Sequence, residues 1–344
     1  MDSELALSLL ALAQDAEVGL SGPESARWIE NLDRRLGDLR GAAAWFLQHG
    51  EPERALRLAA ALTSFWRQSE RVGEGREWME SVLAAPGADV PSAARAKALS
   101  GAGMLAFNQG DRHTAQVRNE EALRIARAAD DWRAQMLALV GLARVALLQG
   151  DVRIVREHAE RARTLARDMR DKEGEGRPLH MLAAAARVEG DLERARELYE
   201  ESLALHRELK DHYVIGVELI NLGHVERNRG NHERSEELFQ EALRLGLARG
   251  NASMVPDCLA GLGCTAATRK DLQRAARLFG AAEARLQAGG TVLDPDDQLE
   301  FDRAVSVVRE GLGAGSFEAL WAEGRALADD GAVALALQSS RPTT

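Results

Sequence analysis

The side chains with potential for chemistry are scattered. Acidic residues occur in adjacent pairs, at Glu120-Glu121, Glu200-Glu201 and Glu236-Glu237. Sequence neighbours do not face each other on a helix, so these pairs are expected to be solvated helix surface, not acid–base couples. Gly-x-Gly occurs at Gly73–Gly75 and at Gly174–Gly176. Neither follows a strand pattern, as a dinucleotide fingerprint requires, so both are expected to be turns between helices. A P-loop needs glycine ahead of Lys-Ser or Lys-Thr, and none of Lys97, Lys172, Lys210 and Lys270 has that context. Cys258 and Cys264 are six residues apart, on different faces of any helix they share. Two cysteines make neither a disulfide framework nor a Cys-rich zinc site, and a reducing cytoplasm is their simplest home. No nucleophile, base and pocket can be named together, so neither catalysis nor a cofactor is expected.

The elements that must position these side chains are helices. Ala, Leu, Arg and Glu dominate the 344 residues, and all four favour helix. Aromatic residues are only 4%, which argues against a large sheet. The bias to Ala and Arg suggests a high-GC bacterial genome. A net charge of −10 makes the whole molecule a poor partner for nucleic acid, whose binding relies on a basic face. Leu5 to Ala13 is an apolar run, but Asp2 and Glu4 stand where a signal peptide needs positive charge. No stretch is long enough to span a bilayer, so no membrane association is expected.

A period of 40 residues organises the chain. Gly110-Asp111, Gly150-Asp151, Gly190-Asp191, Gly230-Asn231 and Lys270-Asp271 follow one another at that step, with Glu70 one step earlier. A second mark, Asp131, Asp171, Asp211 and Asn251, has the same period, so each unit holds two helices. Glycine closes a helix in the left-handed conformation, and the Asp or Asn after it caps the next one. Lys270 lacks glycine's ease at positive φ, so a looser turn is expected there. Between the marks, large apolar residues recur at helical spacing, as at Leu219, Leu222 and Phe239, with a small residue such as Gly223 where helices cross.

This pattern resembles the tetratricopeptide repeat: Leu at the fourth and seventh places, a small eighth, Gly-Asp at fifteen and sixteen, and a small twentieth. The resemblance implies an all-α solenoid of about six helix pairs, lengthened from 34 residues to 40. Residues 1–50 are expected to cap its start, 51–289 to form the array, 290–338 to cap its end, and 339–344 to be disordered. Ser21-Gly22-Pro23-Glu24 is expected to break the first cap. In the second, helices are expected over 296–311 and 316–328, starting at Asp294-Pro295-Asp296 and parting at Gly311 to Gly315.

In tetratricopeptide folds the first helix of each pair lines a concave groove, roughly through its second, fifth, ninth, twelfth and thirteenth places. Here those places hold Arg67 and Gln68; Phe107 and Asn108; Arg144; His180 and Arg187; and His224, Arg227 and Asn228. This line is basic on an acidic protein, and a groove of one charge sign focuses its field inward. Arginine's planar fork suits carboxylate or phosphate, which points to an acidic peptide or a small anion. The alternative is that each Arg pairs with a Glu on the next helix or is solvated. The Lys and Asn pattern of carboxylate-clamp relatives is not matched. His180 and His224 could approach each other, but no further ligands converge, so no metal is expected. Trp28, Trp45, Trp66 and Trp78 are expected to fill the junction of cap and array in preference to forming a cation cage.

A narrower resemblance covers nearly the whole chain. Ser21 to Leu83, with SGPESARWIENLDRRLGDLRGAAAWFLQHG at its start, is similar to the beginning of the C-terminal repeat region of bacterial signal-transduction ATPases with LuxR-type or SARP-like DNA-binding heads. AARLFGAAEARL (275–286) and FEALWAEGRAL (317–327) are similar to that region's terminal helices. The resemblance implies a non-catalytic sensor arm of a cytoplasmic bacterial transcriptional regulator. Its partners would be a protein or peptide, an ATPase or DNA-binding regulator domain, or a small anionic effector, without direct nucleic-acid contact. A free-standing scaffold joining protein partners is the alternative.

Overall fold

Helix formers dominate the sequence, and helix dominates the fold. The computed structural model describes residues 1–22, 24–69, 71–249 and 252–338. The expectations at Pro23, Glu70, Asn251 and residues 339–344 lie outside the described residues. Among the described residues there are nineteen α-helices and no strand. The chain opens with α1 (Ser3–Gly19), α2 (Ser25–Arg34) and α3 (Leu36–Gln48). The first hairpin has a leading helix broken at Leu62 into α4 (Pro52–Ala61) and α5 (Thr63–Gln68), followed by α6 (Val72–Leu83). Five regular hairpins come next: α7 (Ala93–Asn108) with α8 (Arg112–Ala128), α9 (Trp132–Leu148) with α10 (Val152–Asp168), α11 (Gly176–Val188) with α12 (Leu192–Leu209), α13 (His212–Asn228) with α14 (His232–Ala248), and α15 (Val255–Thr268) with α16 (Leu272–Gly289). Three helices end the chain, α17 (Pro295–Leu312), α18 (Ala314–Arg325) and α19 (Asp329–Leu337), where two were expected.

The turns explain the 40-residue period. The backbone N–H of each capping residue reaches the carbonyl five residues back: Asp111 to Ala106 at 2.9 Å, Asp151 to Ala146 at 3.0 Å, and Asp191 to Ala186 at 3.0 Å. The intervening turns repeat the bond, as from Asp131 to Ala126 at 2.9 Å and Asp211 to His206 at 3.0 Å. This is the Schellman closure of a helix end, and it places one residue per turn in the left-handed region. Gly110, Gly150, Gly190 and Gly230 take that place in the first set.

Lys270 corrects the expectation of a looser turn. It holds φ 65°, and Asp271 makes the same bond to Ala266 at 2.9 Å. Asp130, Arg170 and Lys210 do likewise at the second turns. Packing on both sides of the turn fixes its geometry, and the side chain tolerates a strain of about 1–2 kcal/mol. Lys270→Gly is therefore expected to raise stability by about 0.5–1 kcal/mol, the relieved strain less glycine's greater entropy loss. Chemical denaturation would show this as a higher midpoint at constant slope.

Other local expectations need correction. Asp111, Asp151, Asp191 and Asp271 cap by side chain as expected, but Asn231 makes no side-chain cap; its amide donates to Glu226 at 2.5 Å. Gly73 and Gly75 lie inside α6, not in a turn, and a Cβ on Gly75 would stand 2.2 Å from Trp66. Glu236 is not solvated; it is buried against the Arg274 guanidinium at 2.8 Å.

Close packing sets the hairpin spacing. Gly223 on α13 and Gly261 on α15 both face the Phe239 ring of α14, and a Cβ on Gly261 would lie 2.3 Å from it. On the outer face, arginines pair with glutamates of the adjoining helices, as in Arg118–Glu80 at 2.5 Å and Arg163–Glu201 at 2.7 Å. Trp66 is fully buried, with the Trp78 ring centroid 5.9 Å away and the Arg40 guanidinium 5.6 Å from its own, so this ring packs the junction.

The superhelix curls until its ends meet its middle. The His212 N–H, at the start of α13, donates to the Ser21 carbonyl at 3.1 Å, and Ser25 Oγ donates to the Arg249 carbonyl at 3.4 Å. Lys97, near the start of α7, pairs with Glu17 of α1 at 2.6 Å. The N-terminal helices thus close one edge of the groove. Residues 292–300 cross the other edge, where the leading helices end, beginning with a Val292 N–H to Asn108 carbonyl bond of 3.4 Å.

Candidate functional site

The groove divides into a neutralised half and an open half. Arg187, at the end of α11, donates to Asp297 of α17 at 2.5 Å. Arg227, at the end of α13, donates to Glu300, which also accepts from Asn228 at 2.8 Å and faces His224 Nδ1 at 3.2 Å. Arg187, His224 and Arg227 are all buried by this contact. Burial alone would push the Asp297 carboxyl up, but Arg187 and His224 outweigh it and hold the group below the usual carboxylate range. Glu300 is driven well below that range, as its bond to His224 and the charge of Arg227 overcome burial. These arginines do pair with carboxylates, but with those of a helix far away in sequence.

His224, Asp297 and Glu300 bring candidate metal-ligand atoms within 4.8 Å of one another. The same two carboxylates carry Arg187 and Arg227, so a cation would have to displace both guanidiniums. His180 does not join His224. Its Nδ1 bonds the fully buried Glu218 at 3.1 Å, and Glu218 also accepts from Ser202 Oγ at 2.7 Å. Gln68 is buried, and its amide donates to the Leu20 carbonyl at 3.4 Å.

The other half holds arginines that form no ion pair among the described residues. Arg67 from α5, Arg144 from α9 and Arg177 from α11 line one pocket with Phe107 and Ser100 of α7. Arg67 donates to Tyr213 Oη at 2.6 Å, and its guanidinium lies 4.9 Å from that ring's centroid. Arg144 donates to the Met104 sulfur at 3.5 Å, and Asp294 adds an opposite charge nearby. Arg177 has no hydrogen bond or ion pair among the described residues. Lys97 lines the pocket too, but Glu17 balances it. Arg67 Nε and Ser100 Oγ are buried without a hydrogen-bond partner. Burial first, and then repulsion from Arg67 and Arg177, pushes the Arg144 guanidinium down to about 10. Arg177 is exposed to solvent in the groove, and Asp211, Glu173 and Glu17 lie near enough to offset part of the repulsion from Arg67. A vestibule bounded by Gln14, Arg57, Asp131 and Asp171 shares Lys97 and Arg177 with the pocket and leads to the surface.

Sequence reasoning named Arg67, Phe107 and Arg144 here but missed Arg177. The signal was present: Lys97, Leu137 and Arg177 occupy the same second place of successive 40-residue units. Asp257 continues that register, and burial together with Asp294 and Asp297 pushes its carboxyl well above the usual range. The groove thus has arginines outside any ion pair at one end and matched charges at the other.

A tetratricopeptide-like α-solenoid, with a basic pocket enclosed in its groove, is the class these features define. Residues 174–245 match the family model of the tetratricopeptide repeat. No curated protein matches the chain. Among solved structures, a Rap protein complexed with competence and sporulation factor is similar over 95% of this chain and 95% of its own, at 14% identity and TM-score 0.60. A signal transduction ATPase with numerous domains and a tetratricopeptide repeat sensor, from Pyrococcus horikoshii, is similar over 92% of this chain at 15% identity and TM-score 0.51; the match spans 52% of that structure. NprR in complex with its cognate peptide NprX is similar over 95% of this chain and 91% of its own, at 13% identity and TM-score 0.50. At these identities the likeness is one of fold.

Proposed function

We propose that the chain is a non-catalytic sensor and interaction module, the repeat arm of a bacterial transcriptional regulator, which takes up an acidic peptide, a partner protein or a small anionic effector in its concave groove. The observation that carries this reading is the presence of Arg67, Arg144 and Arg177 in one pocket without a carboxylate partner among the described residues. Holding unpaired cations together in a partly desolvated site is unfavourable, and an anion relieves it. Ligand binding by a protein of this fold has parallels in the Rap protein complexed with competence and sporulation factor and in NprR in complex with its cognate peptide NprX. The Pyrococcus horikoshii ATPase supplies a parallel for a repeat sensor beside a nucleotide-binding machine. On this reading the module works in the cytoplasm beside an ATPase or DNA-binding regulator domain and does not itself touch nucleic acid.

The test is Arg144→Glu combined with Arg177→Glu, with calorimetry against an Asp/Glu-rich peptide, citrate and pyrophosphate. The reading expects at least one probe to bind the unaltered protein and to lose at least tenfold in affinity in the variant, in line with about 1.5–3 kcal/mol for a charge-assisted bond. Binding of none, or unaltered affinity in the variant, removes the groove as the site.

A further inference from the structure

Resting on that reading of the groove, we infer that the ligand of the arginine pocket is a compact polyanion, a small molecule bearing at least two phosphate or carboxylate groups, and not an extended acidic chain. Three observations converge on this.

The first is charge. Arg67, Arg144 and Arg177 face one space, and Lys97 in its wall is already balanced by Glu17. A monoanion would leave two guanidiniums uncompensated, whereas a polyanion satisfies several forks at once, each by two parallel N–H···O bonds.

The second is closure. A peptide lying along the concave face would have to cross both edges. The backbone of Ser21 is bonded to His212 at one edge, and that of Val292 to Asn108 at the other. Its acidic side chains would also find Arg187 and Arg227 taken by Asp297 and Glu300. What remains is a pocket of about 80 Å³, room for a few water-sized groups and not for an extended chain.

The third is unmet hydrogen bonding. Arg67 Nε and Ser100 Oγ, which can both donate, belong to residues of this one pocket and have no hydrogen-bond partner among the described residues. Oxygen-rich groups are the complement of both. Arg177, which sits between the vestibule and the pocket, adds positive potential on the way in.

The experiment is thermal unfolding and calorimetry of the full chain with pyrophosphate and with citrate, against NaCl at matched ionic strength. Pyrophosphate, citrate or both should bind with one-to-one stoichiometry and raise Tm by about 4 °C at a hundredfold excess over Kd. The stronger of the two identifies phosphate or carboxylate as the preferred group. Arg144→Met and Arg177→Gln should each weaken binding at least tenfold. Their ligand-free Tm should equal or exceed that of the unaltered protein, because each relieves repulsion; a merely structural role would lower it. Arg177 makes no hydrogen bond or ion pair among the described residues, so Arg177→Gln keeps the test valid if Arg144→Met folds poorly. If an Asp/Glu-rich peptide binds through Arg144 and Arg177 while pyrophosphate and citrate do no more than NaCl, the polyanion inference falls and the groove reading stands. If none of the three binds, both fall.

Discussion

Asp297→Asn with Glu300→Gln is expected to release α17 from the groove at a cost of about 3–5 kcal/mol, the range for stranding buried charges. The two carboxylates are the counter-charges of Arg187 and Arg227, whose side chains are only 4% and 6% exposed. The neutral side chains keep the shape but cannot offset the guanidiniums, so the loss is concentrated in the C-terminal segment. Hydrogen exchange should show amides of 295–312 losing protection while those of α9 to α12 keep theirs. Adding Arg187→Met and Arg227→Met should restore much of it, because removing both partners of a buried pair leaves no orphaned charge. The same contact sets a pH response. Both carboxyls are held below their ordinary values in the fold, so their contribution is complete above the usual Asp and Glu range near 4 and is lost as pH falls through the folded values. Acid should loosen α17 in the unaltered protein below about pH 4, with a weaker pH dependence in the double variant. Full protection of 295–312 in the variant at neutral pH would show that apolar packing alone holds the helix.

Gly324→Val should detach α18 from α16. A Cβ at Gly324 would lie 2.0 Å from the Arg277 carbonyl oxygen, and one at Gly280 would lie 2.1 Å from that of Trp321. The obstacle at each crossing is backbone, so no rotamer change relieves it and the helices must part. Parting exposes Phe317, which is fully buried, and breaks the cluster in which Phe279 and Phe301 sit 4.8 Å apart with Trp321 beside them. The expected loss is about 3 kcal/mol, the upper part of the range for overpacking, with a red shift in tryptophan emission. Gly315→Ala is the control: nothing lies within 4 Å of its Cβ position, so it should be neutral or slightly stabilising. Equal stability of Gly324→Val and Gly315→Ala would mean the crossing is not close-packed.

Much of the scaffold was legible in the residues. Gly110, Gly150, Gly190 and Gly230 announced their turns, because a left-handed residue followed by an Asp is a local device with a local cause. Lys270 was misread because the cost of its conformation was weighed without the packing that imposes it. Arg67, Phe107 and Arg144 were legible as groove residues through the register, and Arg177 lay in the same register unread. The pairing of Arg187, His224 and Arg227 with α17 had no local signal. Their partners are 110, 76 and 73 residues away, and no period connects them.

The amino-acid sequence by itself determined the repeat: its period, its glycine turns and the helical register follow from interactions within one or two neighbouring turns. Only the tertiary structure decided which basic residues are free. The small rotation between hairpins accumulates along a solenoid until distant segments meet. That curvature carries Asp297 and Glu300 onto one set of arginines and leaves Arg144 and Arg177 without an ion pair among the described residues.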